Sequence, residues 1–283
     1  MKTRIITSCV GIAILVVVML FFDTVVFDLV IGALCLIGMH EAWGAVGFTK
    51  KDWFIFAGAV PMAMFVILAY SFGATGFILP MVMVTALFYA VCLVRLSQTL
   101  NFSCLSSFLV FSAVIVFGFS AFIDLKYRLP SAQYKSAAVY FIVLILCYAW
   151  GGDTFAYFAG RFFGKHKLAP IVSPKKTVEG AVGGVAGCVF LGIVCTAVYQ
   201  MVSDGSALFV GSARFEHYIL VAVMGGIASV LGILGDLFAS VVKRQHGIKD
   251  YGTIFPGHGG ILDRFDSVMF VAPLVCMAVR YLY

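Results

Sequence analysis

"HYILVAVMGGIASVLGILGDLFA", residues 217–239, settles the fold class of this chain. Its one formally charged side chain is Asp236, near the end. A helix rises about 1.5 Å per residue and the bilayer hydrocarbon is about 30 Å thick, so such a run reads as a spanning helix. It is followed by "SVVKRQHGIKDYGTIFPGHGGILDRFD", residues 240–266, which packs four Lys/Arg, three Asp, two His and five Gly. Residues 267–283 are apolar again. The order is span, polar loop, span.

The rest of the chain repeats that texture. Of 283 residues, 63% are hydrophobic and 11% charged, with a mean hydropathy of +1.08. Soluble domains are about half apolar and about a quarter charged. Apolar runs predict spans at 5–22, 24–39, 53–72, 76–94, 105–123, 136–152, 180–202, 217–239 and 267–283. The expected fold is therefore all-α, a polytopic integral membrane protein with about nine transmembrane helices. The second run is short and carries Asp28, so it is tilted or re-entrant, and eight spans is the alternative. The run after "MKTR" ends "MLFFD", without the small residues of a signal-peptide cleavage site, and reads as an uncleaved first span. Residues 1–135 form an N-terminal region of about five spans. Residues 136–283 are expected to form a C-terminal transmembrane region with polar loops at 160–180 and 240–266.

Basic residues orient the chain. With the N-terminus in the cytosol, 14 of the 19 Lys/Arg fall inside, and Lys126, Arg128, Lys135, Arg214 and Arg280 fall outside. Positive charge accumulates on cytoplasmic loops, so the N-terminus is expected in and the C-terminus out. The same bias accounts for the net charge of +6 without nucleic-acid binding. The eight Cys stand singly with no Cys-x-x-Cys pair, as small buried hydrophobes do. "GAVGGVAG" (180–187) and "GGIASVLGILG" (225–235) suit close helix packing.

The chemistry-bearing residues gather at one expected membrane face. Asp236, Ser240 and Lys243 lie at i, i+4 and i+7 on one helical stripe. Asp263 and Asp266 are three apart where the last span begins, Asp250 is on the loop, and Asp153 ends the sixth span. Carboxylates near hydrocarbon need a partner or a cation, and several together suggest a divalent metal held by oxygen ligands: Asp236, Asp250, Asp263 and Asp266. The bland alternative for each is a local pair, such as Asp250 with Lys249 or Lys243 and Asp263 with Arg264. Lys175, Lys176, Lys243, Arg244, Lys249 and Arg264 suit phosphate oxygens. In "PGHGG", Gly259 and Gly260 allow close backbone approach to a ligand, and His258 is a phosphate donor, a general acid or a structural group. Metal, phosphate and membrane edge together point to phosphoryl or nucleotidyl transfer onto a lipid.

The run from Ser240 through Lys243, Arg244, Lys249, Asp250, Gly252, Phe255, Pro256, His258, Gly259, Gly260, Asp263 and Arg264 to Asp266 resembles the signature of the phosphatidate cytidylyltransferases (CDP-diacylglycerol synthases). The resemblance extends to "GDL" at 235–237 and to "YFAGRFFGKHKLAPIVSPKKTVEG" at 157–180. It implies that CTP and phosphatidate give CDP-diacylglycerol and pyrophosphate, with Mg²⁺, a second, monovalent cation and a homodimer. It also implies an inner (cytoplasmic) membrane protein whose site faces the cytosol. On that reading Asp250, Asp263, Lys249 and Arg264 are catalytic. Lys175, Lys176, Ser240, Lys243, Arg244, His258, Gly259 and Gly260 bind substrate. Three positions depart from the pattern: Phe155 for a Gly, Val178 for a Trp, and Ala239 for a Glu before the signature Ser. The alternatives are a related lipid kinase or cytidylyltransferase acting on a polyprenol or ether lipid, and a transporter. Transport favours ionisable groups near mid-span, where only Asp28 is a candidate.

Overall fold

The computed structural model describes residues 2–130, 136–203, 214–257 and 259–282. His258, Lys135 and the remaining positions lie outside the described residues. The helices are α1 (Lys2–Leu20), α2 (Val25–Ala45), α3 (Trp53–Ala69), α4 (Ile78–Arg95), α5 (Phe102–Arg128), α6 (Ala137–Leu146), α7 (Gly152–Phe163), α8 (Val178–Val202), α9 (Arg214–Gln245), α10 (Leu262–Phe265) and α11 (Val268–Leu282). Seven helical stretches among the described residues are long and apolar enough to cross a membrane, and two shorter apolar ones, Cys9–Leu20 and Val268–Tyr281, lie at the first and last expected spans. The chain is a multi-pass, all-α membrane protein.

It divides into two compact units: Met1–Tyr127 with Val242–Arg264, and Arg128–Val241 with Phe265–Tyr283. The first is a helical bundle whose core is written at helical spacing. α2 buries Phe27, Ile31, Cys35 and Met39, α3 buries Ile55, Ala59, Ala63 and Ile67, and α5 buries Phe108, Phe111, Ile115, Phe119 and Phe122. The opposite faces keep apolar side chains exposed, as on Leu79, Met83 and Leu87 of α4. A lipid-facing surface requires this. Thr24 caps α2, its Oγ1 accepting the Val26 N–H at 3.3 Å. Pro61 sits inside α3, a position that membrane helices tolerate.

Asp28 is not an isolated mid-membrane acid. It is fully buried, with Lys126 Nζ at 2.7 Å from Oδ1 and the hydroxyls of Tyr127 and Ser71 donating to Oδ2 at 2.6 and 2.8 Å. Lys126 also donates to the Thr24 carbonyl at 2.7 Å. Lys126, one of the five basic residues expected outside, is thus buried in an ion pair.

In the second unit α6 and α7 are joined by a π-helical turn, Cys147–Gly151. Here the Tyr148 carbonyl accepts from Cys188 Sγ at 3.2 Å, and the Tyr148 hydroxyl donates to the Val221 carbonyl at 2.7 Å. α7 and α8 pack through glycine. A Cβ on Gly183 would strike Ala159, and one on Gly187 would strike Phe155. The 160–180 loop carries a small antiparallel hairpin, β1 (Lys167–Ala169) and β2 (Ser173–Thr177), which helix-and-loop reading did not anticipate.

Candidate active site

The second unit holds the 160–180 stretch. Strand alternation sends Lys175 and Lys176 to opposite faces of β2. Lys175 is exposed, whereas Lys176 turns inward to an ion pair with Asp236 Oδ2 at 2.6 Å. Ser240 Oγ donates to the other oxygen of Asp236 at 3.3 Å, as their i, i+4 spacing on α9 predicts. Glu179, in the first turn of α8, anchors the loop. Its carboxylate accepts the backbone N–H of Lys165 at 3.0 Å and of His166 at 3.2 Å, and its Oε1 lies 2.6 Å from His166 Nδ1. Thr177 caps α8 by accepting the Gly180 N–H at 3.1 Å. In the same unit Ser267 Oγ donates to Asp153 at 3.3 Å, and its N–H to Asp266 Oδ1 at 2.8 Å. Helix α10 ends at Phe265, so Asp266 lies in a turn and not on a continuous helical face with Asp263.

The first unit holds the signature loop. Asp263 is its hub: Oδ1 accepts Lys243 Nζ at 2.9 Å, and Oδ2 accepts the backbone N–H of Tyr251 at 2.8 Å and of Gly260 at 2.9 Å. The Lys243 ammonium also lies 5.2 Å above the Tyr251 ring, a cation–π contact. The partner of Asp263 is thus Lys243, 20 residues away, where sequence proximity had suggested Arg264. Gly259 takes φ +85°, a conformation that glycine adopts readily, and closes the loop on Phe255, whose N–H reaches the Gly259 carbonyl at 2.9 Å. Arg244, Lys249, Asp250 and Arg264 are exposed.

One contributor escaped sequence reading. Glu41, near the end of α2, accepts the N–H of Ile261 at 3.0 Å and of Leu262 at 2.9 Å, across some 220 positions. The signal was present: an acid closing an apolar run is costly without a partner.

Among the described residues no three His, Cys, Asp or Glu side chains stand grouped as around a metal ion. Of the four acids expected to hold a divalent cation, Asp236 and Asp266 belong to the second unit and Asp250 and Asp263 to the first. Asp236 and Asp263 are each paired with a lysine. Such a donor set fits Mg²⁺ in another way. That ion keeps several waters and takes one or two carboxylates plus substrate phosphates.

The chain matches the cytidylyltransferase family over residues 2–282, and it belongs to that family. Similar proteins include the phosphatidate cytidylyltransferase of Staphylococcus haemolyticus, 40% identical over 166 residues, which are 55% of this chain and 59% of the relative. That of Staphylococcus saprophyticus is 44% identical over 141 residues, 50% of this chain and 49% of the relative. That of Staphylococcus aureus (strain COL) is 39% identical over 166 residues. The chain thus matches 49–59% of the length of the first two relatives.

Proposed function

We propose that this protein is a phosphatidate cytidylyltransferase, joining CTP to phosphatidate to give CDP-diacylglycerol and pyrophosphate. The observation that carries this reading is the signature stretch 240–266. It is folded with Lys243 locked to Asp263 while Arg244, Lys249, Asp250 and Arg264 remain exposed to a ligand. Membership of the family and the names of the staphylococcal relatives support it.

The chemistry asks little covalent help of the protein. A phosphomonoester has a second pKa of about 6, so the phosphatidate phosphate is largely dianionic near neutrality and already nucleophilic. One of its oxygens bonds to the α-phosphorus of CTP, the bond from that phosphorus to the oxygen bridging the β-phosphate breaks, and pyrophosphate leaves with the electron pair. No proton need be removed from the nucleophile. The protein positions both phosphates and offsets charge on the leaving group, a role that falls to the exposed bases of the signature loop, Arg244, Lys249 and Arg264. Lys176 and Lys243 are held by Asp236 and Asp263 and serve as fixed charges. Mg²⁺ entering on the triphosphate would neutralise developing charge and take a carboxylate, with Asp250 the exposed candidate. A second, monovalent cation, a homodimeric state and a cytosol-facing site in the inner membrane belong to the same proposal.

Purified protein in detergent, supplied with CTP labelled at the α-phosphate and with phosphatidate, should make labelled lipid only when Mg²⁺ is added. A labelled product from a polyprenol or an ether lipid, with none from phosphatidate, would overturn the assignment.

A further inference from the structure

Glu41 has a place in this architecture that its position far from the signature does not suggest. It is 6% exposed, in the last turns of α2, and each of its carboxylate oxygens accepts one backbone N–H, from Ile261 and from Leu262. A Cβ on Gly252 or on Gly260 would collide with this carboxylate, so a side chain at either position would push against it. Asp263 meanwhile takes the N–H of Tyr251 and of Gly260. Two carboxylates therefore hold four backbone donors between positions 251 and 262, Asp263 from α10 and Glu41 from α2. Glu41 itself touches backbone and glycine.

We propose that Glu41 is a positioning residue for nucleotidyl transfer: it fixes the backbone of the 251–262 loop, and through it the Lys243–Asp263 pair and the groups at 249–250. This rests on the reaction assigned above. A carboxylate is needed because it accepts two N–H groups side by side, whereas an amide accepts at one atom and turns an N–H toward the other donor. A loop displaced by about 1 Å can cost about 100-fold in rate.

The test uses the full-length protein in detergent, with steady-state kinetics for CTP and phosphatidate, amide hydrogen exchange, and turnover expressed per folded molecule. Glu41→Gln, which keeps size, should lower kcat about 100-fold while KM for CTP moves far less, and should speed exchange at Ile261 and Leu262. Gly252→Ala, which leaves the carboxylate in place but pushes a methyl against it, should do the same. Asp52→Asn, a change at the capping box of the 49–52 turn, should leave both readouts at the wild-type level. Wild-type kcat in both Glu41→Gln and Gly252→Ala would overturn the proposal, and so would unchanged exchange in Glu41→Gln. A lower melting temperature with full turnover would likewise reduce Glu41 to a purely structural role. If the wild-type protein made no CDP-lipid, the assigned reaction would fall by itself. Exchange would then still decide: faster exchange confined to 251–262 supports the anchoring, and none overturns it.

Discussion

Asp250 and Asp263 are thirteen positions apart in one loop, yet their surroundings separate them. Asp250 is exposed on the loop. Asp263 is 5% exposed and holds Lys243, itself 13% exposed, together with two backbone N–H groups. Asp250→Asn should change folding stability by less than about 0.5 kcal/mol, as surface changes do, while lowering turnover by about 100-fold or more if it meets the metal–triphosphate. Asp263→Asn should lower turnover too, but it strands a nearly buried ammonium and misplaces an amide against a donor. A stability loss of about 3 kcal/mol is expected. Thermal unfolding alongside turnover per folded molecule, across Mg²⁺ concentrations, checks both. Relief of repulsion among clustered acids, which a carboxylate cage would predict, should not appear.

At the scale of elements, α2 is fastened to α5 by the pair of Asp28 and Lys126, with Tyr127 and Ser71 completing the carboxylate's partners. Asp28→Asn removes the charge that compensates a buried lysine, and breaking a buried pair from one side costs about 3–5 kcal/mol. The expected result is a clear fall in melting temperature with turnover per folded molecule unchanged. The double change Asp28→Leu with Lys126→Met, which removes both charges, should recover most of the lost stability. A drop in turnover per folded molecule without loss of stability would show that Asp28 acts in the reaction instead. The two polar loops are held by one shared device: a helix-borne carboxylate taking consecutive backbone N–H groups, Glu179 at Lys165 and His166 and Glu41 at Ile261 and Leu262.

For the whole molecule, the proposed orientation rests on the count of basic residues. On the proposed function the nucleotide comes from the cytosol, and both polar loops should open there. Lys167→Cys and Ile248→Cys, each in a background depleted of the native cysteines, should resist a membrane-impermeant thiol reagent on intact cells and react once the membrane is opened. Labelling of either from outside intact cells would reverse the assigned orientation. The division into two units puts Val242–Arg264 with Met1–Tyr127. The loop with the family's signature is therefore supported by helices whose own sequence reads only as apolar.

The sequence by itself determined the membrane class, the run of apolar helices and the residue types gathered in the two polar loops, because these depend on local quantities: length of apolar run, helical spacing and residue type. Ser240 against Asp236 was readable for that reason, being i and i+4 on one helix. The tertiary structure alone decided which charge meets which. Lys243 reaches Asp263, Lys176 reaches Asp236, Lys126 reaches Asp28 and Glu41 reaches the loop backbone, at separations from 20 to 221 positions. A carboxylate near hydrocarbon must find a partner, but Coulomb attraction and hydrogen bonding act through space, and only the packing of helices says what stands within 3 Å.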